Sequence, residues 1–158
     1  MAERLRPYSI TAVCGPLLGG AFLAHALAAH LGVRFYFSQP VPSQADGGLF
    51  AAQYRLPAEL RRRVGTERIA IVDDVISAGS SVRATAADLT AAGASTVVVG
   101  TLLLLGSQAV EHFSARGIPL VALAEQAFNL WAPVGCPLCR SGMPLENPVT
   151  SAAAEGIE

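Results

Sequence analysis

The chain of 158 residues contains no lysine; all eleven of its Lys and Arg residues are arginine. Twelve acidic residues bring the formal charge to −1, so no basic surface field argues for nucleic acid as the partner. Long apolar runs are also missing. The chain is 52% hydrophobic and 15% charged, more apolar than an average domain. Even so, no run reaches the roughly 18 uninterrupted apolar residues a membrane helix needs. Cysteine is scarce. Three residues leave one unpaired under any disulfide scheme, which fits a reducing compartment. Residues 1–7 carry charges, with no apolar leader and cleavage site before the first predicted strand, so no signal peptide is expected and the expected location is cytoplasmic. No internal repeat is visible, and the length fits one domain with one core.

What is there concentrates in residues 69–81, Ile-Ala-Ile-Val-Asp-Asp-Val-Ile-Ser-Ala-Gly-Ser-Ser. The four leading apolar residues read as a strand buried on both faces. It runs into two adjacent carboxylates, Asp73 and Asp74, and then into a Gly/Ser loop opening an Ala-rich helix at 80–92. Open α/β sheets place ligands beyond the carboxyl ends of their strands. Hydroxyls of Ser77, Ser80 and Ser81, backbone N–H groups and a helix N-terminus together make an anion cradle. A sugar phosphate satisfies both halves, its hydroxyls on the acids and its phosphate in the loop. The plainer alternative is a solvated turn carrying two surface aspartates; the strand–loop–helix context weighs against it.

Apolar runs alternate with helical patterns, predicting βαβ units and a mainly parallel α/β sheet of about five strands flanked by helices. Strands are expected at 11–14, 33–37, 69–72, 96–104 and 120–124, and helices at 20–31, 80–92 and 107–115. The stretch 38–56, rich in Pro, Gly and Gln, breaks the alternation, and its end at 49–55 could form a short strand or hairpin arm. The organisation expected is a core over 1–125 and a Pro- and Cys-containing tail over 126–158 with an unstructured end.

The run Val72-Asp73-Asp74-Val75-Ile76-Ser77-Ala78-Gly79-Ser80-Ser81-Val82-Arg83 resembles the type I phosphoribosyltransferases, and among them most closely the orotate phosphoribosyltransferases. The resemblance covers roughly residues 11–124 and implies that family's single-domain fold with a reduced hood. It implies phosphoribosyl pyrophosphate and a nucleobase, most readily orotate, as substrates in pyrimidine nucleotide biosynthesis or salvage, Mg²⁺ carried in on the pyrophosphate, and a homodimer. Asp73 and Asp74 would hold the ribose hydroxyls and stabilise positive charge growing on the sugar, acting as the catalytic pair. The 5-phosphate would be gripped by Ser77, Ala78, Gly79, Ser80 and Ser81. The run Cys14-Gly15-Pro16-Leu17-Leu18-Gly19-Gly20 follows the first strand. By itself it is an ordinary βα turn; by the resemblance, Gly15 and the N–H groups of Leu17, Leu18 and Gly19 would bind pyrophosphate. No metal-ligand set belonging to the protein itself is implied.

The chain departs from the resemblance at several points. Orotate enzymes often carry Lys where this chain has Gly19, and bring Lys and His over the pyrophosphate from a loop matching 38–56, where only Arg55 is cationic. Asp46-Gly47-Gly48 and Arg55 are what remains of that loop. Only ten residues precede the first predicted strand, and Leu105-Gly106-Ser107 stands where those enzymes use an Arg on the orotate carboxylate. A non-catalytic phosphoribosyl-pyrophosphate-binding regulator, or a degenerate or incomplete family member, is therefore the alternative expectation. Arg61, Arg62 and Arg63 read as the exposed face of a short helix. Cys136-Pro137-Leu138-Cys139 is half of a zinc spacing, and two free thiols in a tight Pro turn is the simpler reading. A redox role is disfavoured because the motif is not expected to open a helix after a strand.

Overall fold

Ile69, Ala70, Ile71 and Val72 are all fully buried, and the reason they do not alternate with polar residues is that the sheet is covered on both sides. Ile69 and Ile71 pack with Val82, Leu89, Val99 and Phe113 on one face. Ala70 and Val72 pack with Leu5, Val13, Leu27 and Val98 on the other. The computed structural model describes residues 1–42, 53–129 and 131–144.

The strands are β1 (Ala12–Pro16), β2 (Arg34–Val41), β3 (Gln53–Arg55), β4 (Arg68–Ile76), β5 (Ser95–Leu105) and β6 (Leu120–Gln126). They form one sheet in the order β3-β2-β1-β4-β5-β6. Every neighbouring pair is parallel except β2 and β3, so the five expected parallel strands are present with one antiparallel edge strand added. That edge strand is the C-terminal end of the arm expected at 49–55; residues 43–52, including Asp46-Gly47-Gly48, lie outside the described residues.

The helices are α1 (Ala2–Leu5), α2 (Gly19–Leu31), α3 (Ala58–Arg63), α4 (Ser80–Ala91), α5 (Gln108–Ser114) and α6 (Pro137–Arg140). α2 ends at Gly32, whose φ of 68° is the left-handed cap that only glycine adopts cheaply. The residues before β1 are not a plain lead-in: α1 buries Leu5 completely, and Arg4 donates to the Ala122 carbonyl of β6 at 2.5 Å. Chain order runs outward from the centre of the sheet, β1 to β2 on one side and β4 to β5 on the other. The crevice between the ends of β1 and β4 is thus the switch point where such sheets take ligands.

Two features of β4 differ from expectation. It continues through Asp73 and Asp74 to Ile76 rather than stopping before them, because β5 runs alongside and pairs Asp73 with Thr101 and Ile76 with Leu104. The β4–β5 register also shifts by one residue between Ile69 and Ala70: Ile69 pairs with Thr96 but Ala70 with Val98, leaving Val97 as the extra residue. Contacts divide the chain into units at 1–128 and 129–158. The described part of the second unit holds a 3₁₀ turn at Pro133–Gly135 followed by α6.

Candidate active site

The chemistry gathers where β1 and β4 end. The Asp73 side chain is 8% exposed, and Ser81 at the start of α4 donates its hydroxyl to Asp73 Oδ2 at 3.0 Å. The Asp74 amide donates to Asp73 Oδ1 at 3.1 Å, and the Val75 amide to Asp74 Oδ1 at 2.9 Å. Thr101 Oγ1 on the neighbouring strand shares its proton between the Asp74 carbonyl at 3.1 Å and the Leu103 carbonyl at 2.9 Å, tying the backbone beneath the pair to β5. Burial pushes the Asp73 carboxyl up to about 7. The adjacent Asp74 carboxylate adds to the rise, and the hydrogen bonds from Ser81 and from the Asp74 amide oppose it. Asp74 itself is exposed.

The β1–α2 loop lies directly against these two acids. A Cβ on Gly19 would run into the Asp74 carboxylate. One on Gly20 would stand 2.7 Å from Asp73 Oδ1 and 2.8 Å from the Val72 carbonyl, and one on Gly15 would overlap the Gly20 carbonyl. At Gly15 and Gly20 glycine is therefore required by close approach of main chain rather than by a positive φ, and at Gly19 the neighbour is the Asp74 side chain. The peptide bond between Leu17 and Leu18 is cis. The Leu17 amide donates to the Ser38 carbonyl of β2 at 2.8 Å, so this N–H is engaged within the protein. Leu18 and Gly19, at the cap and first position of α2, contribute N–H groups of the kind that helix geometry leaves unused. Leu18 is also 70% exposed.

Across the crevice, residues Ser77, Ala78 and Gly79 turn β4 into α4. Gly79 caps the helix with φ 80°, and a Cβ there would press on Ala109 of α5 at 3.0 Å. These residues with Ser80 and Ser81 line an open pocket of about 350 Å³, joined by Tyr54, Val75 and Ile76. The structure thus brings Asp73, Asp74, Gly15, Leu17, Leu18 and Gly19 together around one crevice and Ser77, Ala78, Gly79, Ser80 and Ser81 around the adjoining loop. Ser81 differs from its fellows because its hydroxyl reaches Asp73. A wider cavity of about 820 Å³ lies against α4 beside Arg61 and Asp88 and shares Tyr54 with the first.

Sequence reasoning missed Thr101 and Tyr54. Thr101 alone left a trace, as a hydroxyl deep inside an apolar strand, and it is fully buried. It also read the three consecutive arginines too simply: Arg61 pairs with Asp88 of α4, which accepts the Leu56 amide at 2.9 Å as well. That pair anchors the chain just after β3, while Arg62 lies on the surface as expected and pairs there with Glu59. At the end of β5, Gly106 turns with φ 73° and Ser107 bonds to Glu111, while Arg83 of α4 donates to the Gln108 carbonyl at the start of α5 at 2.7 Å.

A phosphoribosyl transferase domain profile matches residues 1–119. The orotate phosphoribosyltransferase of Thermotoga petrophila is 32% identical over 152 residues, covering 94% of this chain and 72% of that protein. That of Caldanaerobacter subterraneus is 28% identical over 94% of this chain and 70% of its own length. Among solved structures, an orotate phosphoribosyltransferase from Aeropyrum pernix superposes with a TM-score of 0.58 and 26% identity, over 75% of this chain and 62% of that one. An adenine phosphoribosyltransferase from Thermoanaerobacter pseudethanolicus gives 0.65 at 19% identity over 79% and 75%, a likeness of fold alone. With two acids at a switch point, a glycine loop pressed on them, a hydroxyl loop beside them and a profile match over most of its length, the chain belongs to the phosphoribosyl transferase family.

Proposed function

We propose that the protein transfers the phosphoribosyl group from phosphoribosyl pyrophosphate to orotate. The observation that carries this reading is the meeting of Asp73 and Asp74 with the Gly15–Gly20 loop on one side and the hydroxyl loop on the other. In the reaction the bond from C1 of the ribose to the pyrophosphate oxygen breaks, a ring nitrogen of the base bonds to C1, and positive charge grows on the sugar between the two events. Asp74, exposed at the crevice, accepts ribose hydroxyls, and Asp73 behind it places a second carboxylate under the developing charge. Ser77, Ala78, Gly79 and Ser80 hold the 5-phosphate with hydroxyls and with N–H groups of the first turn of α4, and Ser81 keeps Asp73 oriented. The amides of Leu18 and Gly19 face the departing pyrophosphate.

Mg²⁺ fits this site as an ion carried by substrate. Its chemistry calls for oxygen donors, typically one or two carboxylates plus phosphates. No group of three or more His, Cys, Asp or Glu able to hold a metal occurs among the described residues, whereas Asp74 offers one carboxylate beside the glycine loop. When bound, the ion neutralises charge on the leaving pyrophosphate. A homodimer, a cytoplasmic location and a role in pyrimidine nucleotide synthesis belong to the same proposal; no helix among the described residues is long and apolar enough to cross a membrane.

The absence of lysine favours a second reading, a phosphoribosyl-pyrophosphate-binding regulator. Losing one preorganised donor to developing charge costs about 10²–10³ in rate, so turnover with orotate is expected to be well below that of an enzyme with a lysine-bearing loop. Pyrophosphate release measured with orotate, uracil and the common purines, alongside calorimetry with phosphoribosyl pyrophosphate and Mg²⁺, separates the readings. Turnover with orotate alone supports the proposal, and turnover only with another base overturns the choice of orotate. Binding without turnover on any base selects the regulator, and no binding overturns both.

A further inference from the structure

The groove between α4 and α5 gathers positive charge that the proposed reaction does not use. Arg83 of α4 lines it with His112 and Arg116 of α5 and Thr96 of β5, over an apolar wall that includes Phe113 and Ile118. Its volume is about 730 Å³, the size of a small-molecule pocket, and no Asp or Glu lines it among the described residues. Residues four apart share one face of a helix, which sets His112 beside Arg116. Arg116 donates to the His112 carbonyl at 2.8 Å, and its guanidinium lies 3.3 Å from His112 Nδ1. Arg83 reaches across from α4 to donate to the Gln108 carbonyl of α5 at 2.7 Å, which fixes its guanidinium.

The acids of the two helices are engaged elsewhere. Asp88 of α4 pairs with Arg61, and Glu111 of α5 accepts the Ser107 hydroxyl. Burial, followed by the charges of Arg83 and Arg116, holds the His112 imidazole below its ordinary range, and burial with Arg116 lowers the Arg83 guanidinium. A bound anion removes that repulsion. A second observation points the same way: Thr96 Oγ1 is buried without a hydrogen-bond partner among the described residues, a hydroxyl able to donate to an anion in the same groove. Guanidinium groups present planar donor forks that match phosphate oxygens, and a protonated imidazole adds a further donor. The apolar wall offers a bare ion nothing. An organic phosphate answers both, its phosphate on the cations and its body on Phe113 and Ile118.

We propose that the α4–α5 groove binds a small organic phosphate, with the phosphate group on Arg83, His112 and Arg116 and an apolar body against Phe113 and Ile118. The site is distinct from the pocket at residues 77–81, with which it shares no lining residue. That loop meets a phosphate with hydroxyls and N–H groups, this groove with cations. No covalent bond forms or breaks, and the one accompanying change is protonation of His112 beside the anion. The inference is independent of the proposed reaction.

The test follows the His112 ring signal of the full chain by NMR during titration with phenyl phosphate, the signal being picked out from those of His25 and His30 with His112→Gln. Chloride holds the ionic strength constant, and inorganic phosphate and phenol are the comparison ligands. The expected result is a saturable shift of the His112 signal, a raised protonation midpoint, and no shift with phenol. Burial of the ring should make phenyl phosphate bind ~10-fold or more tightly than inorganic phosphate. Arg116→Gln should weaken phenyl phosphate ~10–100-fold through lost charge-assisted bonds, with circular dichroism and the affinity for phosphoribosyl pyrophosphate unchanged. The wild-type shift should persist when phosphoribosyl pyrophosphate and Mg²⁺ are added in excess. If Arg116→Gln does not fold, the wild-type titrations decide. A His112 signal unmoved by millimolar phenyl phosphate, equal affinity in a folded Arg116→Gln, equal binding of phenol or of inorganic phosphate, or loss of the shift on adding phosphoribosyl pyrophosphate would each overturn the proposal.

Discussion

The two loops that meet at the crevice solve one problem by opposite means. Residues 77–81 present side-chain hydroxyls and a helix N-terminus, and their polar residues announce the role. Residues 15–20 present backbone and the exposed Leu18 side chain, and what marks them is how close they come to Asp73 and Asp74. Side-chain chemistry can be pruned one group at a time, each loss costing about one hydrogen bond. A backbone loop held by steric fit tolerates no addition where its neighbour is main chain, as at Gly15 and Gly20.

The comparison breaks most visibly at Gly15. In Gly15→Ala the new methyl meets the Gly20 carbonyl, which is main chain and cannot rotate aside. Overpacking of this kind costs about 1–3 kcal/mol, and a misplaced loop lowers turnover by ~10²-fold. Thermal melting and pyrophosphate release read the two effects, and wild-type values for both would show that steric fit does not define the loop. The acids come next. Asp73→Asn with Asp74→Asn removes charge-assisted bonds worth about 1.5–3 kcal/mol, so calorimetry should show phosphoribosyl pyrophosphate bound ~10–100-fold more weakly to a protein that still folds.

A third prediction separates the buried acid from the exposed one by pH. The Asp73 carboxyl lies near 7 in the folded protein against an ordinary 3.8, so between those values the folded state holds a proton the unfolded state has released. Stability from this group therefore falls as pH rises through that window, and its full cost is present above about 7. Melting the single Asp73→Asn variant beside wild type should show no difference near the lower value and a more stable variant above the upper one. The ligand affinity of the wild type should decline as the pH drops below the upper value. The smallest effect belongs to Ser81→Ala. It removes the 3.0 Å bond to Asp73, costing about 1 kcal/mol. Since that bond opposes the rise, the pH midpoint of binding should move upward, while Ser77→Ala should weaken binding without moving it.

Legibility followed the same division. The strands, the central helices and the acids with their hydroxyl loop could be read because burial on both faces and a carboxylate–glycine–serine string leave marks in residue type. The reason for Gly19 and Gly20 could not be read, since it lies in atoms of Asp73 and Asp74 more than fifty residues away. The same holds for Leu17, whose amide is taken by the Ser38 carbonyl, and for Arg61, whose tie to the buried Asp88 is a long-range pairing inside what looks like a surface charge run. The capping of α6 by Cys136 was hidden for a local reason, since a single turn gives no periodicity.

The irregularity in β4–β5 pairing at Ile69 and Ala70 acts as a phase shifter for the site. Before it, partners stand 27 positions apart in sequence, as with Ile69 and Thr96; after it, 28, as with Asp73 and Thr101. Were Val97 paired with Ala70 instead of left out of the ladder, the frame would slip and Asp73 would sit opposite Gly100, removing from its side the hydroxyl that now holds the Asp74 carbonyl. A single unpaired residue near the opposite end of the strand thus keeps the two carboxylates in step with the strand that supports them.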